Sequence, residues 1–378
     1  MKPKKQWSLD GLYSVLSSLS AILVGLLVGF IILLVSNPGQ ALPGLGKIAA
    51  GGFTGGMKGV GQVLYYATPL IMTGLSVGFA FKTGLFNIGA SGQLIVGGFT
   101  GIWVAHNCSA FIPSGILWLV ALLAAMLAGA LWGAIPGLFK ALLNVHEVIA
   151  CIMCNYIGMY GVNFLIKNTN VYNLLKNQTV DVGQAAIPRW GLDKLFYTLK
   201  GRYMDASSVN GGILIAILAA IIIYILLQKT TFGYELKACG HNRNASRYAG
   251  IKEKRTIALS MIIAGALAGI AGGLMYLAPA SGLHFNVVEE LNAQGFNGIP
   301  VALLGLSNPI GIIFAGIFIA YITQGGYYLQ TLNFMPEIID IIIGAIIYFS
   351  AFTLLMKTVL SGWIAKSRAK KQTGEEEQ

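Results

Sequence analysis

The chain has 378 residues, 56% hydrophobic and only 10% charged, with a mean hydropathy of +0.71 and a formal net charge of +11. Soluble domains carry about 25% charged residues, so this composition excludes a soluble protein and defines an integral membrane one. The basic balance fits membrane orientation and a cytosolic docking site, and needs no nucleic acid to explain it.

Runs free of Asp, Glu, Lys and Arg cover residues 11–46, 59–81, 83–139, 148–166, 206–228, 256–288, 291–336 and 341–356. A spanning helix takes about 20 residues, so the longer runs must fold back at Gly, Asn and Pro. The reading is an all-α membrane protein of about ten transmembrane helices, a single transmembrane domain over residues 1–378. Lys2, Lys4 and Lys5 precede an apolar run of span length with no small-residue cleavage site, so it reads as span 1, at 19–35, and not as a cleavable leader. Residues 36–58 are Gly/Pro-rich and lie outside with a short interfacial piece. Span 2 is expected at 60–81.

Span 3, at 86–105, opens inside KTGLFNIGASGQ, residues 82–93. Polar Asn87, Ser91 and Gln93 sit there among Gly84, Gly89 and Gly92. Unwound backbone at membrane depth is tolerated only inside protein or beside a water-filled cavity. This stretch is therefore a broken helix near a central pathway, or else a polar turn between spans. Span 4 follows at 115–135 and span 5 at 142–166. Within span 5, Glu147, Cys151 and Asn155 fall at i, i+4 and i+8 on one face. A carboxylate in a span is costly unless it meets a cavity or a partner, so Glu147 either lines a pathway or locks two helices, the lock being preferred. His146 pairs with it or sits at the interface. Phe86 and Trp103 offer flat apolar contact to a ring-bearing solute. Cys151 and Cys154 form a CxxC without the second ligand pair a metal or redox site needs, so all four cysteines, Cys108 and Cys239 included, read as packing residues.

Residues 167–209 form the largest outer segment, with room for a small helix or two, before span 6 at 211–227. Next comes the most charged internal stretch, residues 229–255, an inner loop. A short basic helix fits there, capped by Asn242 or Asn244 at its start and ended by Gly250 in the left-handed conformation. Gly240, Asn242, Asn244, Ala245, Arg247 and Gly250 would form a docking element for a soluble partner; the alternative is a solvated loop. Span 7 lies at 257–277, an outer or re-entrant loop at 278–295, a short span 8 from 296, a turn at Ser307–Asn308–Pro309, span 9 to 323 and span 10 at 338–356. Glu337 and Asp340 top span 10, where they meet an external protein or simply favour the helix dipole. This path puts 17 of the 25 Lys and Arg inside, with both termini cytoplasmic. Small-xxx-small spacings at Gly25/Gly29, Gly97/Gly101, Gly129/Gly133/Gly137 and Gly265/Gly269/Gly273 mark close helix packing.

No phosphate-binding loop, metal-ligand cluster or Ser-His-Asp set appears. The expectation is a chain that is not an enzyme, with no catalytic and no metal residues.

The stretches GLFNIGASGQ, HEVIACIMCNYIG, GYELKACGHNRNASRYAGI and ALLGLSNPIG together resemble the permease subunits of bacterial ABC importers. The resemblance lies with the ribose, branched-chain amino acid and nucleoside permease family, and within it with the purine-nucleoside branch served by basic-membrane-lipoprotein binding proteins. It runs over nearly the whole chain. It implies the ten-helix importer permease fold, multi-pass in the bacterial cytoplasmic membrane. It also implies three partners: a second permease subunit, a paralogue giving a heterodimer; an ATP-binding cassette subunit docking at 229–255; and an extracellular substrate-binding lipoprotein. The chain itself binds no cofactor, and ATP is used by the cassette subunit. His146–Glu147 stands where nucleoside members commonly have Asn-Glu, and Cys151 and Cys154 replace commoner Thr and Leu. The expected cargo is a nucleoside, purine nucleosides foremost. The alternatives are a sugar such as ribose, another small polar solute, or ion-coupled secondary transport. Glu147, nearly alone as an intramembrane acid, argues against the last.

Overall fold

The computed structural model describes residues 6–200, 203–278 and 284–350, together with 352, 355 and 358. In chain order the helices are α1 (Gln6–Ser36), α2 (Ala41–Ala50), α3 (Gly56–Lys82), α4 (Ala90–Asn107), α5 (Ser114–Leu143), α6 (Glu147–Lys167), α7 (Gly212–Lys229), α8 (Thr231–His241), α9 (Arg243–Tyr248), α10 (Glu253–Tyr276), α11 (Ala293–Leu304), α12 (Pro309–Tyr327) and α13 (Pro336–Ser350). Between α6 and α7 lie four short strands, β1 (Tyr172–Asn173), β2 (Gln178–Thr179), β3 (Tyr197–Lys200) and β4 (Tyr203–Ala206).

Seven helical stretches among the described residues are long and apolar enough to cross a bilayer: Leu19–Ser36, Pro38–Lys82, Ser114–Leu143, Glu147–Lys167, Gly212–Lys229, Glu253–Tyr276 and Pro309–Leu332. Ten were expected. The third expected span forms as α4, but its glycines and its polar ends keep it outside that set. The eighth forms as α11, whose 12 residues rise only about 18 Å. The tenth is α13, described over 15 residues; its expected end at 356 lies outside them.

The chain divides into two compact units, one made of Met1–Gly51 with Gly325–Gln378 and the other of Gly52–Gln324. In the first, α1 packs along α13. The Gly/Pro-rich stretch expected to lie outside with a short interfacial piece is mostly helical: Leu33 and Leu329 close on Gly44 of α2, and Lys47 Nζ donates to Thr331 Oγ1 at 2.6 Å.

The second unit is organised around α10, which packs on α5, α4 and α3. Its seam with α5 follows from small residues. A Cβ at Gly129, Gly265 or Gly269 would come closer than 3.0 Å to backbone atoms of the facing helix, so only glycine permits this approach. Lipid tails are as apolar as the side chains, which leaves close packing as the drive for association. The exposed faces of α5 and α7 carry Leu119, Leu123, Leu127 and Leu131, and Leu214, Leu218 and Ile222, an aliphatic surface suited to lipid.

The 167–209 segment departs from the all-helical expectation. It folds as two antiparallel hairpins, β1 with β2 and β3 with β4, plus two single 3-10 turns. Strands of two to four residues leave no readable alternation. Asp205 on β4 ties this segment to α3 through Lys58 at 2.6 Å.

Candidate functional site

The polar stretch between α3 and α4 is a true break. α3 ends in a Schellman motif: Gly84 adopts φ +70°, its N–H donates to Phe81 O at 3.0 Å, and Leu85 N–H reaches back to Ala80 O at 3.1 Å. Thr83 Oγ1 lies 2.7 Å from Ser260 Oγ on α10. The chain runs unwound until α4 starts at Ala90.

Asn87, Ser91, Gln93 and Asn155 are all buried, none more than 1% exposed. Asn87 and Gln93 face each other as a pair of amides: Asn87 Nδ2 donates to Gln93 Oε1 at 2.9 Å and Gln93 Nε2 to Asn87 Oδ1 at 3.0 Å. Asn87 also donates to Ser76 Oγ at 3.0 Å, and Ser76 in turn donates to Ala264 O on α10. Asn155, on α6, spans the break. Its Oδ1 accepts from Gly92 N at 2.8 Å, and its Nδ2 donates to Ile88 O at 3.0 Å. Ser91 Oγ donates to Asn292 O at 2.9 Å, and Asn292 donates to the Tyr276 hydroxyl at 2.7 Å. Each amide answers another polar group, as burial in an apolar bundle requires. In this arrangement the cluster holds four elements, α3, α4, α6 and α10, in fixed register.

The other expected pathway residues sit apart. Phe86 stacks on Phe81, ring centroids 5.4 Å apart and 3° from parallel. Trp103 is 42% exposed on the surface of α4, away from the amides. Glu147, expected inside span 5, is instead the first residue of α6. Lys140 Nζ of α5 lies 2.9 Å from its Oε2, both side chains 12% exposed, a charge contact without a well-directed hydrogen bond. This geometry is the interhelix lock. His146 does not pair with Glu147 through its ring; its Nδ1 caps α6 by accepting from Val148 N at 3.3 Å. Cys151 and Cys154 are buried free thiols, and no group of metal-ligating side chains occurs among the described residues.

The second candidate is the 229–255 loop, which holds two helices where one was expected. Thr230 Oγ1 caps α8, accepting from Gly233 N at 3.1 Å, and α8 buries Leu236 and Cys239. Asn242, not Asn244, caps α9: its Oδ1 accepts from Ala245 N at 3.0 Å. Gly250 then ends α9 at φ +82°, with Gly250 N donating to Arg247 O and Ile251 N to Ser246 O at 3.0 and 3.1 Å, a second Schellman motif. Only Ser246 of α9 is buried. Asn244, Ala245, Arg247 and Tyr248 face outward, Tyr248 at 95% exposure. Tyr248 was not among the residues expected on this helix, although an aromatic residue stands out in a polar loop. The two candidates touch: a Cβ at Gly240 of α8 would run into Lys82 O and Gly84 N at the break.

A multi-pass bundle with a pinned helix break and an exposed capped helix between spans defines a membrane permease component. The chain belongs to the family of branched-chain amino acid transport system / permease components, whose sequence profile matches residues 59–351. It is 38% identical, over 96% of its length and 98% of the relative's, to the nucleoside ABC transporter permease protein NupB of Lactococcus lactis subsp. cremoris. It is 37% identical to the guanosine ABC transporter permease protein NupP of Bacillus subtilis, over 90% and 94% of the two chains. It is 30% identical to the glucose ABC transporter permease protein TsgB13 of Haloferax volcanii, over 77% and 75%.

Proposed function

We propose that this chain is the membrane subunit of an ATP-driven importer that carries nucleosides, purine nucleosides foremost, across the bacterial cytoplasmic membrane into the cell. The observation that carries this reading is the similarity to NupB, which runs over nearly the full length of both chains; NupP, named for guanosine, points the same way. In this reading ten helices cross the membrane, with both termini cytoplasmic. The exposed α9 docks an ATP-binding cassette subunit, a lipoprotein delivers solute from outside, and a second permease, a paralogue, completes the pore. ATP is bound and hydrolysed by the cassette subunit alone.

Within this chain the amide cluster would set the geometry of the route by holding the α3–α4 break. Asn87, Ser91, Gln93 and Asn155 would act there through the shape they maintain, since their polar side-chain atoms are already engaged with protein, and Phe86 through its stacking on Phe81.

A sugar is the second reading, supported by the glucose permease among the relatives. One experiment separates the two: uptake of labelled guanosine, adenosine, uridine, ribose, glucose and leucine in cells carrying or lacking the gene. Loss of guanosine and adenosine uptake on deletion is expected. Loss of sugar uptake with nucleoside uptake intact would overturn the nucleoside reading and leave the importer reading standing.

A further inference from the structure

The amides at the helix break are all answered by protein; those within α11 are not. Gln294 Oε1 is buried without a hydrogen-bond partner among the described residues. The Asn297 side chain, at i+3 on the same side of the helix, also makes no hydrogen bond among them.

Two glycines pin α11 from behind. A Cβ at Gly295 would strike Ser91 at the start of α4, and one at Gly298 would strike Thr73 of α3. Thr73 stands about 26 Å from the Gly56 end of α3 and about 14 Å from its Lys82 end. That places the contact at the depth of the hydrocarbon, which is about 30 Å thick. Opposite the glycines, α11 presents Ala293 and Pro300, flanked by Phe296 and Asn297. Ala293 is exposed and the other three are half-buried.

Lipid cannot satisfy an amide, and a polar side chain at this depth faces a water-filled cavity or protein. A phenyl ring beside an amide is the chemistry that recognises a heterocyclic base. The ring stacks on the flat face, and the amide offers a donor and an acceptor side by side to the base edge. A free sugar has hydroxyls for the amide but no aromatic face for the ring.

We infer, resting on the nucleoside reading above, that the Ala293–Pro300 face of α11 is where the base of the solute is recognised on its way through. Phe296 stacks on the base and Asn297 pairs with its edge. The glycines behind them hold this face in fixed register with the break.

The test uses the complete transporter with its natural partners in proteoliposomes, in a Cys108→Ser background, since Cys151, Cys154 and Cys239 are buried. Asn297→Cys and, on the aliphatic face of α5, Leu127→Cys are treated with a charged, water-soluble methanethiosulfonate. Asn297→Cys should react, guanosine should slow that reaction severalfold, and ribose should not; Leu127→Cys should stay unmodified. Separately, Phe296→Leu should lower guanosine uptake about tenfold, the scale of one lost base–aromatic stack, at an unchanged melting temperature. Phe296→Tyr, which keeps the ring, should restore uptake. An unreactive Asn297→Cys would place this face against lipid or another protein chain. Reaction without protection by guanosine would make it a wet wall that selects nothing. Either result, or full guanosine uptake in Phe296→Leu, would overturn the inference and, where the wild-type particle takes up guanosine, leave the nucleoside reading standing. A wild-type particle that takes up no nucleoside would overturn both.

Discussion

Lys140 and Glu147 meet across the turn that joins α5 to α6, and removing one partner leaves the other charge buried and unpaired. Single deletions in fully buried pairs cost about 3–5 kcal/mol, and this partly exposed pair at the helix ends should cost less, whereas replacing both partners with apolar residues is often neutral. Lys140→Met and Glu147→Leu should therefore each lower the melting temperature of the purified protein, and the double variant should recover most of the loss. Additive losses in that cycle would remove the lock assignment. Asn155→Leu orphans Gly92 N–H and Ile88 C=O together, at about 1–3 kcal/mol for each unsatisfied group. It should destabilise the protein more than Trp103→Leu, which changes an exposed ring; equal melting curves for the two would contradict the assignment. The residue types at the break were legible in the sequence, because amides and glycines stand out in an apolar run. Their partners were not, because Asn87 pairs with a residue six positions away while Asn155 reaches back across more than sixty.

At the scale of elements, apolar length and basic flanks read α3, α6, α7 and α10 to within about five residues, while α1 starts 13 residues before its expected start and α5 runs eight residues past its expected end. What escaped had no periodic signal. The hairpins at 172–206 are too short to alternate, and α8 mixes polar and small residues that also suit a loop. The caps were half legible: Gly250 was identified, while the choice between Asn242 and Asn244 depends on backbone geometry that composition does not carry. The contact between Gly240 and the Lys82–Gly84 turn was invisible, yet it joins the 229–255 loop to the helix break without an intervening side chain. Gly240→Val should force these backbones apart. Overpacking of this kind costs typically 1–3 kcal/mol, and transport should fall. Ala245→Asp, exposed on α9, should leave stability unchanged and weaken cassette binding in a pull-down. Wild-type transport in Gly240→Val would show that the contact transmits nothing.

On the scale of the whole Gly52–Gln324 unit, long helices packed through glycine frame the unwound stretch at 83–89, which is pinned by neutral groups. The consequence concerns what can drive it. Moving one elementary charge across the membrane potential is worth about 2.3 kcal/mol per 100 mV, but an amide pair carries no charge for that field to act on and no proton to exchange near neutral pH. The break is deaf to voltage and to proton gradients, so any force that opens it must arrive mechanically, through the backbones that touch it. In proteoliposomes holding the complete transporter and internal ATP, uptake should stay constant when a potassium diffusion potential is imposed with valinomycin. A rate that followed the potential would place a mobile charge on the pathway and end this account of the Asn87–Gln93 pair as its latch.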